Sequence, residues 1–304
     1  MINKDPVISV VIPAFRRPKL LKGAIASVLR QSFSDLELIV VDDDAQASAQ
    51  AVVSTFKDPR ISYVAQGVSR GGSAARNAGL MRARGELIAF LDDDDEWSPD
   101  FLEVLSKVLR ASSEKVGVVY CPVEFMNVDG ARRKSVVLAQ AHGDVFASIL
   151  AGERSIVGTV ALVRRKVFDV CGGFDEALPS AQDWDMWIRA AKHFHFEYVL
   201  QPLATVRDFG PRISSDPLRP IVARELILKK YAQEFKQHPS AQIILLKRLG
   251  KLNTLLGRWR EAWRWFVQAA ADRPVEWIKV VAWLVLQRPW AVKVGEDPDR
   301  KSVV

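Results

Sequence analysis

Short, largely apolar runs alternate with helical periodicity over the first hundred residues. Residues 7–12 form an apolar, β-branched run interrupted only by Ser9 and stopped by Pro13. That pattern marks a strand buried on both faces of a parallel sheet. Residues 19–31 place Leu20, Leu21, Ala24, Ile25, Val28 and Leu29 at helical spacing. A second buried strand spans 36–41 and ends in Asp42-Asp43-Asp44; a short strand spans 61–64 and a helix 73–84. A further buried strand, 86–91, runs straight into four aspartates, 92–95. Strand–helix–strand alternation of this kind predicts a doubly wound α/β sheet. Beyond residue 100 the pattern is less regular, with helices predicted over 101–111 and 183–193 and strands over 116–120 and 160–163. From 216 onward it is helical, with helices over 220–235, 241–256, 258–271 and 275–287.

Composition and charge divide the chain at the same place. Its 304 residues, 49% of them hydrophobic, suffice for one large α/β domain, 1–215, and a helical extension, 216–304. The extension holds 17 basic and 9 acidic residues, a net charge of +8, whereas residues 1–215 carry 26 basic and 27 acidic, a net of −1. A nucleic-acid groove in the first domain is therefore not expected. The basic extension is expected to meet something anionic, such as a membrane surface. Two cysteines, Cys121 and Cys171, make no disulfide framework and fit a reducing compartment. The apolar run 7–12 is too short to serve as a signal peptide, so the expected location is cytoplasmic, peripheral on the inner face of the membrane. Six of the nine tryptophans fall in 258–304. Within 258–271, Trp259, Ala262, Trp263, Phe266 and Ala270 form one apolar stripe, which suits either a neighbouring helix or a lipid boundary. Residues 275–288, fourteen in number and nearly all apolar, reach only about 21 Å as a helix. That falls short of a hydrocarbon core of roughly 30 Å, so no membrane span is expected.

The chemistry is carried by the aspartates that follow the strands. In open α/β sheets ligands bind beyond the carboxyl ends of the strands. Asp43 and the run 92–95 would both lie on that edge. Four adjacent aspartates could be no more than a solvated turn, but held at the end of a buried strand they repel one another unless a cation compensates. Hard carboxylate oxygens suit Mg²⁺ or Mn²⁺, completed by substrate phosphates.

Seven pieces in order now resemble one family. They are Ser9-Val-Val-Ile-Pro-Ala-Phe15, Ser27-Val-Leu-Arg-Gln31, Glu37-Leu-Ile-Val-Val-Asp-Asp43 and Ala75-Arg-Asn-Ala-Gly79, followed by Gly85-Glu-Leu-Ile-Ala-Phe-Leu-Asp-Asp-Asp-Asp95, Gly172-Gly-Phe-Asp175 and Asp183-Trp-Asp-Met-Trp187. The ordered set, covering about 7–215, is similar to the family 2 inverting glycosyltransferases of the GT-A fold. The resemblance implies a GT-A-type doubly wound mixed sheet with a C-terminal helical extension. It places nucleotide-sugar binding in about 1–100 and the acceptor side in about 101–215. Pro13, Ala14 and Phe15 would line the nucleotide pocket, Asp43 would bind the base, usually uracil, and Arg76 and Asn77 fall where the chain closes over the nucleotide. Asp92-Asp93-Asp94 matches the metal motif, with Asp92 and Asp94 as metal residues, Asp94 the direct ligand, and Asp93 on the ribose. Asp183 matches the catalytic base, with Asp185 as the next candidate.

The implied reaction moves a sugar from a nucleoside-diphosphate donor, UDP foremost, to a hydroxyl of a saccharide or lipid-linked acceptor in polysaccharide or glycolipid synthesis. Two features depart from the family. Gln182-Asp183 replaces a frequent Glu-Asp pair. Arg207-Asp208-Phe209 replaces an Arg-x-His element whose histidine can touch metal or diphosphate, leaving Asp208 as the substitute. Read without the family, each residue has a plain structural role: Asp43 as a cap, Arg76 paired with Glu86, Asp183 and Asp185 as a helix N-terminal pair. Two rival functions are a sugar nucleotidyltransferase and a non-catalytic nucleotide-sugar-binding scaffold. The first needs a glycine-rich loop after the first strand, where this chain has Pro13-Ala-Phe-Arg-Arg-Pro18. The expected partners are the nucleotide-sugar donor, the acceptor, the anionic membrane surface and a second copy of the chain in a homo-oligomer.

Overall fold

The computed structural model of the chain describes residues 5–127, 142–152, 158–208 and 216–271. The chain divides into two compact units: 1–146 with 154–177 and 182–210, and 147–153 with 178–181 and 211–304.

The first unit begins with β1 (Ile8–Ala14), α1 (Pro18–Leu29), β2 (Leu36–Asp42), α2 (Gln50–Val53), β3 (Ile61–Ala65), α3 (Gly72–Arg82) and β4 (Leu87–Phe90). It continues with β5 (Glu96–Trp97), α4 (Phe101–Ala111), β6 (Val116–Tyr120), β7 (Val123–Asn127) and α5 (Phe146–Leu150), whose later residues cluster with the second unit. β8 (Ala161–Arg164), α6 (Arg165–Cys171), α7 (Gln182–Ala191), β9 (His195–Tyr198) and β10 (Ala204–Asp208) complete it. Seven strands form the main sheet in the order β3-β2-β1-β4-β8-β6-β9; β8 pairs antiparallel with both β4 and β6, and the other pairs are parallel. The apolar runs end up where their composition demands: Ile8, Val10, Val11, Ile12, Leu38, Val40, Val41, Ile88 and Ala89 have no exposed surface. α3 lies on β1 at Gly79, where a Cβ would collide with the Val11 side chain. A Cβ at Gly85 would lie 2.6 Å from the Ser9 nitrogen, so only glycine lets the chain enter β4 this close to β1.

The chain runs outward from β1 through β2 to β3, then returns to place β4 on the other side of β1. This reversal makes the carboxyl ends of β1 and β4 a switch point, the place where doubly wound sheets bind ligands in a crevice. A second sheet, β5-β10-β7, was not expected from the sequence. Its strands have two to five residues and draw their register from one another, Ala204 pairing with both Trp97 and Val123. β9 was missed for the same reason; four residues carry too little periodicity to be read.

The second unit contains α8 (Arg219–Lys230), α9 (Ala232–Gln237), α10 (Pro239–Leu255) and α11 (Trp259–Ala270). The single helix expected over 220–235 is two, broken at Tyr231, whose φ of −108° and ψ of 30° leave the helical region. α10 and α11 pack as a hairpin turned at Gly257, whose φ of +68° suits the left-handed end of a helix. The ring of Phe266 lies directly over Gly250, where any side chain would collide with it. That contact fixes the rotation of α11 and corrects the expected stripe. The buried face is Ala262, Trp265, Phe266, Ala269 and Ala270, while Trp259 and Trp263 are 53% and 50% exposed. The helix expected over 275–287 lies outside the described residues. Among the described residues no helix is long and apolar enough to cross a membrane.

Candidate active site

Three aspartates close β2, and each ties down a different segment. Asp42, wholly buried, accepts from the Asp44 N–H at 3.0 Å, the Ala49 N–H at 2.8 Å and the Tyr63 hydroxyl at 2.9 Å. Asp44 accepts from Arg16 Nε at 3.1 Å and the Gln46 N–H at 3.3 Å. Asp43 accepts four donors: Gln66 Nε2 at 2.9 Å, Ser69 Oγ at 3.0 Å, and the N–H groups of Arg70 and Gly71 at 2.7 and 2.8 Å. A carboxylate has about four acceptor sites, so here Asp43 is spent on fastening the segment that leads into α3. Its own N–H donates to the Ala14 carbonyl at 2.9 Å, which places Pro13, Ala14 and Phe15 beside it.

The second acidic group follows β4, across the crevice. Asp92 receives Arg76 Nη2 at 2.5 Å, and its N–H donates to Thr159 Oγ1 at 3.0 Å. Arg76 therefore pairs inward with Asp92, rather than outward with Glu86. Asp93 accepts from the Phe15 N–H at 3.0 Å and from Arg17 Nη1 at 3.3 Å, and the same Arg17 nitrogen lies 2.5 Å from Asp94 Oδ2. Asp95, 3% exposed, accepts from the Arg207 N–H at 3.3 Å. Burial pushes Asp93 up to about 7; the Phe15 N–H and Arg17 oppose this, and Asp94 and Asp92 add to it. Burial likewise raises Asp95, with Asp92 and Asp94 contributing. The cluster thus holds more negative charge than its surroundings solvate.

Asp183 reaches this group from α7. Burial raises its proton affinity; the Trp184 N–H, 2.8 Å from Oδ1, and the positive charge of Arg76 pull it back, and Asp92 adds to the rise. Arg76 keeps its charge against desolvation because Asp92, Asp183 and Asp93 all favour it. One guanidinium therefore lies in the fields of both the acidic cluster and Asp183. Asp185, by contrast, is wholly buried and held by Arg189 Nε at 2.9 Å. Arg189 also donates to the carbonyls of Cys171 and Gly173, at 2.6 and 2.7 Å. Asp185 thus anchors the glycine turn before α7 instead of facing the crevice.

Asn77, expected over the nucleotide, clamps one residue of that turn: Oδ1 accepts the Phe174 N–H at 2.8 Å and Nδ2 donates to the Phe174 carbonyl at 2.9 Å. The Phe174 ring in turn carries the Arg76 guanidinium 5.7 Å from its centroid. Two residues of the cluster were missed from the sequence, Arg17 and Thr159. A basic residue in the turn after β1 was a usable signal for Arg17; nothing local marks Thr159.

Among the described residues no group of three His, Cys, Asp or Glu side chains is arranged to hold a metal ion. The residues present fit a divalent metal ion that takes one or two protein carboxylates and brings phosphate oxygens with it. Asp92 and Asp94 offer hard oxygens in the crevice, their side chains 35% and 15% exposed, and each is balanced by an arginine.

The profile of Glycosyl transferase family 2 matches residues 9–172. A putative colanic acid biosynthesis glycosyl transferase, WcaA of Escherichia coli, is 32% identical over 62% of this chain and 67% of its own length. A GalNAc(5)-diNAcBac-PP-undecaprenol beta-1,3-glucosyltransferase of Campylobacter jejuni is 44% identical over 39% of this chain and 37% of its own. In three dimensions the chain is similar to S. aureus TarS in complex with UDP-GlcNAc, with a TM-score of 0.64 at 18% identity over 81% of this chain and 72% of that one. It is also similar to the mannosyltransferase PcManGT of Pyrobaculum calidifontis in complex with GDP-Man and Mn2+, with a TM-score of 0.62 at 19% identity over 94% and 82%. At these identities the likeness establishes the GT-A fold.

Proposed function

Because the chain belongs to glycosyl transferase family 2, we propose that it is a metal-dependent inverting enzyme that moves a sugar from a nucleoside diphosphate, UDP foremost, to a hydroxyl acceptor during polysaccharide or glycolipid assembly. The observation that carries the reading is that Arg76, paired with Asp92 at 2.5 Å, also lies in the field of Asp183. A proton acceptor and an acidic donor-binding cluster meet there, as an acceptor hydroxyl and a leaving diphosphate must meet.

The residues divide the work as follows. Pro13, Ala14 and Phe15 line the nucleotide side of the crevice. Asp43 reads the uracil N3–H by giving up one of its side-chain donors, Gln66 or Ser69, while the Arg70 and Gly71 N–H groups keep it in place. Asp93 holds the ribose, and Asn77 holds the Phe174 turn on which Arg76 rests. A divalent cation, Mg²⁺ or Mn²⁺, held by Asp92 and Asp94, would supply charge stabilisation to the departing diphosphate. Asp183 takes the proton from the acceptor hydroxyl, and that oxygen attacks the anomeric carbon from the face opposite the diphosphate. The sugar–phosphate bond breaks as the new glycosidic bond forms. A single displacement inverts the centre, so an α-linked donor gives a β-linked product.

The donor class is supported by the UDP-GlcNAc and GDP-Man complexes of the structural neighbours, and the acceptor class by the undecaprenol-linked substrate in the name of the Campylobacter relative. We assign donor binding to about 1–100, acceptor binding to about 101–215, and a membrane-surface role to 216–304. A screen of UDP-sugars against a lipid-linked saccharide tests the reading. Wild type turns over with Mn²⁺ or Mg²⁺ and Asp94→Ala does not, while its fold persists by circular dichroism. Full activity in EDTA overturns the metal assignment.

A further inference from the structure

Arg17 has a place in the cluster that the family motifs do not give it. Its Nη1 lies 2.5 Å from Asp94 Oδ2 and 3.3 Å from Asp93 Oδ1, and its side chain is only 27% exposed. It comes from the turn after β1, at the crevice where β1 and β4 part. That turn is pinned at three successive residues: the Phe15 N–H on Asp93, Arg16 Nε on Asp44 and Arg17 on Asp93 and Asp94. The middle residue, Arg16, has a φ of +53°, a left-handed conformation that few non-glycine residues adopt. The turn is thus held by Asp44, Asp93 and Asp94, and the last of these is a carboxylate proposed to bind metal.

We propose that Arg17 is the built-in counter-ion of the donor site, holding Asp94 until a metal–nucleoside diphosphate arrives and then passing to the diphosphate. The inference rests on the reading of Asp94 as a metal ligand. A guanidinium and a divalent cation cannot both sit on Asp94 Oδ2, because like charges at that separation repel. One must displace the other. An incoming diphosphate makes the exchange favourable, because its oxygens accept the planar fork of donors that Arg17 withdraws from the carboxylates. Metal alone offers Arg17 no such new partner. The cation and nucleotide should therefore bind together, and metal by itself poorly. The strained turn gives the exchange a route, since releasing Arg17 also removes one of the contacts that hold Arg16 in its left-handed conformation.

The test uses the full chain and measures Mn²⁺ binding by titration calorimetry or by the paramagnetic resonance signal of free Mn²⁺, first alone and then with UDP. Arg17→Gln should bind Mn²⁺ alone about tenfold more tightly than wild type, and UDP in saturating Mn²⁺ about tenfold more weakly, the scale of one charge-assisted contact. Arg84→Gln removes the same formal charge at the opposite edge of the sheet, where Arg84 pairs with Glu37, and should change neither affinity. Equal Mn²⁺ affinity in wild type and Arg17→Gln overturns the proposal, as does undiminished UDP affinity. Asp94→Asn separates the two levels of inference. If it retains Mn²⁺-dependent UDP binding, the metal reading and the exchange fall together; if it loses that binding while Arg17→Gln behaves as wild type, the exchange alone falls.

Discussion

Asp183 and Asp185 stand two residues apart on α7 and face different chemistry. Asp185 is fully buried and neutralised by Arg189, so it serves the turn at 171–173. Asp183 is raised by burial above its ordinary 3.8 and lies in the field of Arg76. Asp183→Asn is therefore expected to lower kcat by roughly 10²–10⁴-fold with donor affinity nearly unchanged, as steady-state kinetics and UDP binding can show. The base acts deprotonated. The acid limb of the wild-type pH–rate profile should thus lie above the range of an ordinary aspartate, and normal turnover by the Asn variant would place the base elsewhere. Glu37 shows the opposite sign. Desolvation raises it, but bonds from Ser9 Oγ, the Arg84 N–H and the Arg84 side chain outweigh this and hold it below its ordinary value. A lowered carboxylate stabilises the fold above its unfolded pKa and loses that contribution as pH falls through the folded one. Glu37→Gln should cost roughly 1–2 kcal/mol at neutral pH, on the scale of a charged hydrogen bond. Denaturant titrations should show the difference shrinking as pH drops below about 4.

At the scale of elements, two glycines set how closely neighbours approach. Gly79 brings α3 onto β1 at Val11, and Gly250 receives the ring of Phe266 between α10 and α11. Gly250→Ala should destabilise the helical hairpin by about 1–3 kcal/mol through overpacking, even though alanine favours a helix. A thermal melt that is unchanged or raised would mean that the Phe266 ring is free to shift. The Asn77 clamp works between elements in the same way. Two hydrogen bonds to Phe174 join α3 to the turn before α7, and so hold Arg76 and Asp183 in one frame. Neither the clamp nor the β5-β10-β7 sheet is visible in local periodicity, because each depends on partners far along the chain.

For the whole molecule, charge and exposed apolar surface meet in the second unit. Residues 216–304 carry the net +8, and on α11 Trp259 and Trp263 are about half exposed, one turn apart. Tryptophan with arginine suits the boundary between lipid headgroups and acyl chains, and each basic residue at an anionic surface contributes about 1 kcal/mol. The protein is expected to float with liposomes containing anionic lipid and to be released by salt. Replacing Trp259 and Trp263 by alanine should weaken the association that remains at moderate salt. If the intact protein stays with the soluble fraction at low salt, the extension is a packing module only.

The sequence by itself determined the alternation of buried strands and helices, the aspartates at the ends of β2 and β4, and the family. These are local matters: a run of apolar β-branched residues has to be buried on both faces, and polar residues must follow where it leaves the core. Asp92, Asp93, Asp94 and Asp183 were therefore legible as candidates from motif and position. Tertiary structure decided what each does with its lone pairs. It spent Asp43 on the segment leading into α3, set Arg17 between Asp93 and Asp94, turned Arg76 onto Asp92, and gave Asp185 to Arg189. It also rotated α11 so that Trp265 faces inward and Trp259 outward, a choice made by the fit of Phe266 over Gly250. The physical reason is common to all of these. A hydrogen bond, an ion pair or a packed ring is fixed by what lies opposite it in space, and a linear pattern records only one side of that contact.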